Sequence, residues 1–169
     1  MKAKLIIEGK EIEIEISEEE YKKLQPSEEK KTGYERVAEE SDYFYANSRG
    51  YVETASEDCY DDIDNEYYES ANYYSSETVA ENNARADKLM CQLRRFSVEH
   101  REDEIDWNNT DIKFWIVYKH LSSSLVVGKG ASLQSFGNIY FDSEETAQAA
   151  IDEFHDELIW YFTEYKDSL

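Results

Sequence analysis

Long hydrophobic runs, cysteines and prolines are absent or scarce in this sequence. No stretch approaches the roughly 18 consecutive apolar residues of a membrane-spanning helix, and the N-terminal residues contain no apolar signal segment. The two cysteines, Cys59 and Cys91, are typical of free thiols in a reducing compartment when no secretory signal accompanies them. We therefore expect a cytoplasmic protein that makes no membrane contact.

Positive charge is equally scarce. The chain has 18 lysines and arginines against 39 aspartates and glutamates, which gives a formal net charge of -21. This balance argues against direct binding to nucleic acid or to an anionic membrane, because phosphate groups are held by cationic side chains. A basic protein is the natural complement of such a surface. The simpler alternative is that the acidic residues only keep the chain soluble.

No catalytic, cofactor-binding or metal-binding motif is present in the sequence. The three histidines do not pair at the spacing of metal ligands, and neither cysteine has a histidine close to it. His155 has acidic neighbours in Glu153 and Asp156, but a solvated helix face is the preferred interpretation. The glycines between 128 and 137 lack the spacing of a phosphate-binding loop. We therefore predict no enzyme, no cofactor and no metal.

An N-terminal appendage is predicted for residues 1–26. Isoleucines alternate with acidic residues in "KEIEIEI" behind a turn signal, which is typical of a β-hairpin. Ser17 and Glu20 then have the spacing of a capping box that would open a short helix. The polar segment 27–32 follows the single proline, Pro26, and is the predicted linker.

Residues 33–169 are predicted to form one acidic α+β domain. Aromatic residues make up 14% of the chain, enough for a modest core. The hydrophobic pattern alternates between period 2, typical of strands, and period 3.6, typical of helices. The predicted elements are strands within 34–55 around a turn at 47–50, a long central helix at 76–100, an antiparallel meander of strands at 113–120, 124–134 and 137–141, and a C-terminal helix at about 143–166.

Two strand-to-helix junctions resemble each other within the chain. "NYYSSETVAENNA" (72–84) and "IYFDSEETAQAAI" (139–151) both run from an aromatic strand end through a polar cap into a helix, at a spacing of 67 residues. Two ββα-like units that share one core are the preferred interpretation. Such junctions also resemble each other for purely local reasons, so duplication stays one of two explanations.

The tract "DCYDDIDNEYYESANYY" (58–74) alternates carboxylates with tyrosines and has no lysine or arginine. Its tyrosines are too dense for a solvating tail, so we expect it to be ordered. A second acidic segment without a lysine or arginine lies between Lys129 and Lys166. The residues predicted to bind a partner are Asp58, Tyr60, Asp61, Asp62, Asp64, Glu66, Tyr67, Tyr68, Asp152 and Asp156.

The spacing of these carboxylates resembles that of charges on nucleic acid. Acidic side chains repeat about every 6.6 Å on one face of a strand and about every 6 Å at positions i and i+4 of a helix. Duplex DNA carries about one charge per 1.7 Å of its axis, so two acidic rows side by side begin to approach its charge density. A basic nucleic-acid groove could accept such a surface; a solvated face without a partner is the alternative.

Four sequence blocks carry a resemblance to a known family. They are "KTGYERV" (31–37), "LRRFSVEH" (93–100), "DWN" (106–108) and "SFGNIYFDSEETA" (135–147). In these blocks and their order the chain resembles small acidic proteins encoded in prophages of Gram-positive bacteria, over most of residues 1–169. The family has no established reaction and no catalytic residues to carry over. The resemblance implies a phage accessory role in the host cytoplasm, and phage proteins of this size and acidity include anti-CRISPR inhibitors.

The predicted function is therefore inhibition of a host defence protein, with an RNA-guided nuclease as the expected partner. The acidic tract and the last helix would enter its basic nucleic-acid groove, and the tyrosines would supply contact area. The alternative is a phage structural or assembly adaptor, which could form a homodimer through the edge of the N-terminal hairpin. An acidic binder of a small cationic or nucleotide ligand is a third hypothesis.

Overall fold

The computed structural model describes residues 2–7, 10–15, 17, 31–58 and 62–165, and they form the α+β fold that the sequence predicts. The strands are β1 (Lys2–Ile7), β2 (Lys10–Glu15), β3 (Asp42–Ala46), β4 (Val52–Ser56), β5 (Ile112–Lys119), β6 (Ser124–Ala131) and β7 (Tyr140–Phe141). The α-helices are α1 (Asp62–Glu69), α2 (Glu77–His100), α3 (Glu144–Glu153) and α4 (His155–Trp160), followed by a π-helical turn (Tyr161–Tyr165). In the described part of the chain, no helix is both long enough and apolar enough to cross a membrane.

The predicted N-terminal hairpin is confirmed. Strands β1 and β2 pair antiparallel, with a register that runs from Lys2 opposite Glu15 to Ile7 opposite Lys10. They form a two-stranded sheet of their own. The predicted short helix after Ser17 and the segment 27–30 of the predicted linker lie outside the described residues.

The second hairpin joins β3 to β4 around the predicted turn. The side chain of Asn47 orders this turn, because its Oδ1 accepts from the backbone N–H groups of Arg49 and Tyr51 at 2.9 Å and 3.1 Å. The chain at Tyr74 then forms a third segment, which pairs with the other edge of β3. Phe44 and Tyr74 exchange two backbone hydrogen bonds, each 2.9 Å from N to O, directly before α2 begins.

The prediction of a meander is wrong in its last step. The strand order is β6-β5-β7, so β7 pairs with β5 instead of with β6. The connection 132–139 takes the chain across to the far edge of β5. This pairing places Phe141 opposite Phe114 and fully inside the core, and it lets the Ser97 hydroxyl of α2 donate to the Tyr140 carbonyl at 2.6 Å.

The half of the domain that runs from β3 to α2 and the half that runs from β5 to α3 therefore share one arrangement. Each has a hairpin whose first strand also pairs with a short third segment, and each third segment leads into a helix. The serines at the two helix starts differ in detail. Ser143 accepts a hydrogen bond from the backbone N–H of Thr146, whereas Ser76 makes no capping hydrogen bond with its side chain. This arrangement supports the interpretation of two similar units.

The main core lies between α2, the β6-β5-β7 sheet and the C-terminal helices. Its buried members are apolar residues at helical spacing on α2 and α3, together with one residue from β7 and one from α4, because each element turns one apolar stripe inward. They are Leu89, Leu93, Phe96, Phe141, Ala147, Ala150, Ile151 and Leu158.

The C-terminal helix is not continuous, contrary to the prediction. It is interrupted at Phe154, whose backbone angles are φ -107° and ψ 21°, and it ends in the π-helical turn. The ring of Phe154 packs edge-on against Phe96, with 5.7 Å between ring centroids. Packing of this ring and repulsion between like charges one turn apart, such as Asp152 and Asp156, both favour a break at this position.

A substitution in the β6-β5-β7 sheet tests the packing around Trp115. A Cβ atom at Gly128 would lie 2.7 Å from Val117 Cγ2 and 2.8 Å from Trp115 Nε1. Gly128→Ala should therefore lower the free energy of unfolding by about 1–3 kcal/mol, since the indole must move. At the control position, Gly130, the added Cβ would meet its nearest atom at 3.2 Å, so Gly130→Ala should cost less. Urea unfolding of both variants measures the difference, and equal losses would contradict this packing.

Candidate interaction surface

A buried cluster of tyrosines and carboxylates holds the acidic tract against the β3–β4 hairpin. Tyr43 and Tyr73 are 0% and 3% exposed, and their rings stack with 4.1 Å between centroids. The Tyr43 hydroxyl donates to Asp64 Oδ1 and the Tyr73 hydroxyl donates to Glu57 Oε2, each at 2.6 Å. We call these four residues the tyrosine–carboxylate cluster.

Both carboxylates of the cluster have further donors. Asp64 Oδ2 accepts from the backbone N–H of Asp58 at 2.6 Å, and Glu57 Oε1 accepts from Arg36 Nε at 2.9 Å and Nη2 at 2.5 Å. Buried carboxylates need such partners because losing hydration is costly. Asp64 is 5% exposed, so its predicted place on a partner-binding surface is wrong. Its hydrogen bond with Tyr43 instead fixes α1 to the β3–β4 hairpin.

The two tyrosines of the cluster keep their phenolic protons at neutral pH. Burial raises the pKa of Tyr43 above its usual range, and the hydrogen bond to Asp64 raises it further. The pKa of Tyr73 is raised in the same way, by burial first and then by the hydrogen bond to Glu57. Each phenol therefore remains a donor to its carboxylate, which keeps the two buried negative charges compensated.

The outer face of α1 is acidic. Asp62, Glu66 and Glu69 are exposed and follow one another at i, i+4 and i+7, while Asp64 and Tyr67 face inward. The Tyr67 ring packs on Tyr45, with 4.3 Å between centroids, and is half-buried. We call Asp62, Glu66 and Glu69 the first acidic surface. Glu69 belongs to it although the sequence analysis did not select it.

The other predicted residues of the tract have different positions. Tyr68 is 44% exposed, and the Arg36 guanidinium lies 5.5 Å from the centroid of its ring. Asp58 is exposed, and its backbone N–H is the donor to Asp64. Tyr60 and Asp61 lie outside the described residues.

A second group of exposed carboxylates lies on α3 and at the start of α4. It contains the predicted Asp152 and Asp156, and we call the group the second acidic surface: Glu144, Glu145, Asp152, Glu153 and Asp156. Three of its members have a neighbour. Lys129 Nζ lies 3.2 Å from Glu144 Oε2, Gln148 Nε2 donates to Asp152 Oδ1 at 2.9 Å, and His155 Nδ1 lies 3.0 Å from Asp156 Oδ1.

Glu157 is the acidic residue of α4 that faces a cation. Arg85 binds it through two hydrogen bonds, Nε to Oε2 at 2.8 Å and Nη2 to Oε1 at 3.0 Å, and these lower the pKa of Glu157. The same guanidinium lies 3.9 Å from the ring centroid of Trp160, which is buried. No local sequence pattern indicates this pairing, because Glu157 is 72 residues from Arg85 in the chain.

The surface of the described residues offers carboxylates that can bind cations. Within residues 31–58 and 62–165, no three histidine, cysteine, aspartate or glutamate side chains come together as a metal site would require. His100 Nδ1 lies 3.0 Å from the Phe96 carbonyl, one turn earlier in α2, and its ring stacks on Phe96. The chemistry that the surfaces support is recognition of lysine and arginine side chains.

Removal of one hydroxyl tests the tyrosine–carboxylate cluster. Tyr43→Phe leaves Asp64 without its side-chain donor, so the free energy of unfolding should fall by about 1–3 kcal/mol. Tyr51→Phe is the matched control, because Tyr51 is 67% exposed. Urea unfolding at neutral pH compares the two, and a loss no larger than that of the control would show that the cluster is not a structural anchor.

The same cluster predicts sensitivity to alkali. Tyrosines of the unfolded chain ionise near pH 10, whereas Tyr43 and Tyr73 have raised pKa values in the folded state. The folded state then binds more protons than the unfolded state above pH 10, so stability should fall as the pH rises further. Urea midpoints at about pH 8 and about pH 11 measure this fall, and Tyr43→Phe should make it shallower. A midpoint unchanged at the higher pH would contradict the raised pKa values.

Comparison with known proteins adds no relative. No protein-family model matches the chain. No curated protein and no solved structure matches it either. The resemblance to prophage proteins therefore stays a prediction, and the geometry and charge of the two acidic surfaces are the basis for a function.

Proposed function

We propose that this protein binds the basic nucleic-acid groove of another protein and blocks it by mimicking nucleic acid. The resemblance to prophage proteins makes a host defence nuclease, such as an RNA-guided nuclease, the expected target. The observation that carries the proposal is the row of exposed carboxylates on α1, Asp62, Glu66 and Glu69, in a region without a lysine or arginine between Arg49 and Arg85.

Among the residues that the structure describes, no lysine or arginine forms an ion pair with Asp62, Glu66 or Glu69. Arg36, whose guanidinium lies 5.5 Å from the ring centroid of Tyr68 on α1, is bound to Glu57 and also donates a hydrogen bond to Asn65 Oδ1 at 2.7 Å. Arg85 is likewise bound to Glu157. Because these cations are bound to carboxylates outside the two acidic surfaces, most of the exposed acidic side chains there remain available to a basic partner.

The spacing of the first acidic surface is compatible with that of phosphates. Residues four apart on a helix are separated by about 6 Å along the axis, and residues three apart by about 4.5 Å. Phosphates along one DNA strand are about 3.4 Å apart along the axis. One row therefore supplies more than half of the linear charge density of a single strand, and the second acidic surface adds further charge.

The first acidic surface is also held rigidly. Asp64 and Tyr67 anchor α1 from its inner side, through the hydrogen bond to Tyr43 and the ring contact with Tyr45. Binding then requires little further ordering of this helix, which lowers the entropic cost of association. Tyr68 and Ile63, 44% and 57% exposed, lie on the same helix and add apolar contact area.

A charge-reversal variant tests the proposal. Changing Asp62, Glu66 and Glu69 together to lysine should weaken binding to an RNA-guided nuclease at least about tenfold, because three attractive contacts become repulsive. Binding of the unchanged protein should also weaken as salt rises, since salt screens the attraction. Biolayer interferometry measures affinity, and inhibition of DNA cleavage by the nuclease provides the functional readout.

The matched control reverses three carboxylates elsewhere. Glu102, Asp103 and Glu104 are exposed in the connection between α2 and β5, and changing them to lysine alters the net charge by the same amount. This control should bind nearly as well as the unchanged protein. Equal weakening by both triple variants would show that only total charge matters, and unchanged binding by the α1 variant would falsify the mimicry.

A further inference from the structure

One segment of this highly charged protein carries no charge. Residues 130–141, "GASLQSFGNIYF", contain no acidic or basic side chain, although charged residues make up 34% of the chain. Part of this segment forms one wall of an apolar cleft. Two copies of a chain with a net charge of -21 repel each other, so an uncharged face is where they can approach most closely.

The cleft is partly open to solvent and encloses about 300 Å³. Leu89, Met90 and Leu93 of α2 line one side, Tyr161 and Phe162 of the π-helical turn line another, and the segment 136–139 closes it. None of the carboxylates of the first or second acidic surface lines it. The volume is large enough for one aromatic side chain, and the walls are mostly apolar.

An apolar side chain projects from the mouth of this cleft. Phe136 borders the cleft and is fully exposed, at 108%, and Leu133 close by is 70% exposed. The loop that carries them is ordered by hydrogen bonds. The backbone N–H of Ser135 donates to the Tyr140 hydroxyl at 2.6 Å, and that of Asn138 donates to the Ser135 carbonyl at 3.3 Å. Phe136 is therefore held outward instead of folding into its own cleft.

We propose that a second copy of this chain covers the cleft and the loop 132–139, with Phe136 of each copy inserted into the cleft of the other. A projecting side chain beside a cleft is self-complementary under two-fold symmetry, since each copy supplies both parts and the interface closes. No described residue that lines the cleft is a carboxylate that would attract a basic partner, which favours a second copy as its occupant.

Salt distinguishes this contact from binding to a basic partner. Higher salt should strengthen the dimer, because it screens the repulsion between two acidic chains while the apolar contact is retained. Sedimentation velocity of the full chain at about 50 mM and about 500 mM NaCl, over a range of protein concentrations, should show a larger dimer fraction at the higher salt.

Two matched variants locate the interface. Phe136→Asp should raise the dissociation constant of the dimer at least about 30-fold, the loss typical of an interface hot spot. Leu121→Asp is the control, because Leu121 is equally exposed, at 107%, but lies at the β5–β6 turn and does not line the cleft. Both substitutions are on exposed side chains, and circular dichroism confirms that each variant is folded.

A dimer that weakens in Phe136→Asp and persists in Leu121→Asp supports the proposal. A chain that is monomeric at both salt concentrations overturns it, as does a dimer that Phe136→Asp leaves intact, which would locate the contact elsewhere, such as the β1–β2 hairpin. Because no nuclease is used, either result leaves the proposed inhibition to be judged by its own experiment.

Discussion

The fold depends on the need to compensate carboxylates that it buries within an already acidic chain. Glu57 and Asp64 lie inside the protein, where an unpaired negative charge would be costly. Two tyrosine hydroxyls, one guanidinium and one backbone N–H provide the donors. Tyrosine suits this role because its ring fills apolar space while its hydroxyl donates a hydrogen bond. Within the tract, Tyr73 is thus explained by its structural role.

This compensation also determines what the surface presents. Arg36 and Arg85 form ion pairs with Glu57 and Glu157. The chain has few cations, and these two are bound by carboxylates outside the two acidic surfaces. The exposed carboxylates of α1 are left in a row, on a helix that the buried residues fix in place. The acidic tract can therefore both stabilise the fold and bind a partner. The inner stripe of α1 anchors the helix to the protein, and its outer stripe faces solvent.

The two similar halves give the molecule its shared core. Each half pairs a short aromatic segment with the first strand of its hairpin and then starts a helix. Helix α2 packs against α3 and the β6-β5-β7 sheet. The connection 132–139 belongs to this arrangement. It must reach the far edge of β5, and in doing so it forms the uncharged loop that carries Phe136.

Local patterns in the sequence were sufficient to predict the hairpins, the bounds of α2 and the α+β class, because hydrophobic period, turn residues and caps act between near neighbours. The partner of β7, the break at Phe154, the burial of Asp64 and the pairing of Arg85 with Glu157 were not predictable in this way. Each depends on residues far apart in the chain that meet only when the core packs. A carboxylate in the sequence has the same chemistry whether it becomes an anchor or a surface charge, and only the tertiary structure decides which donors surround it.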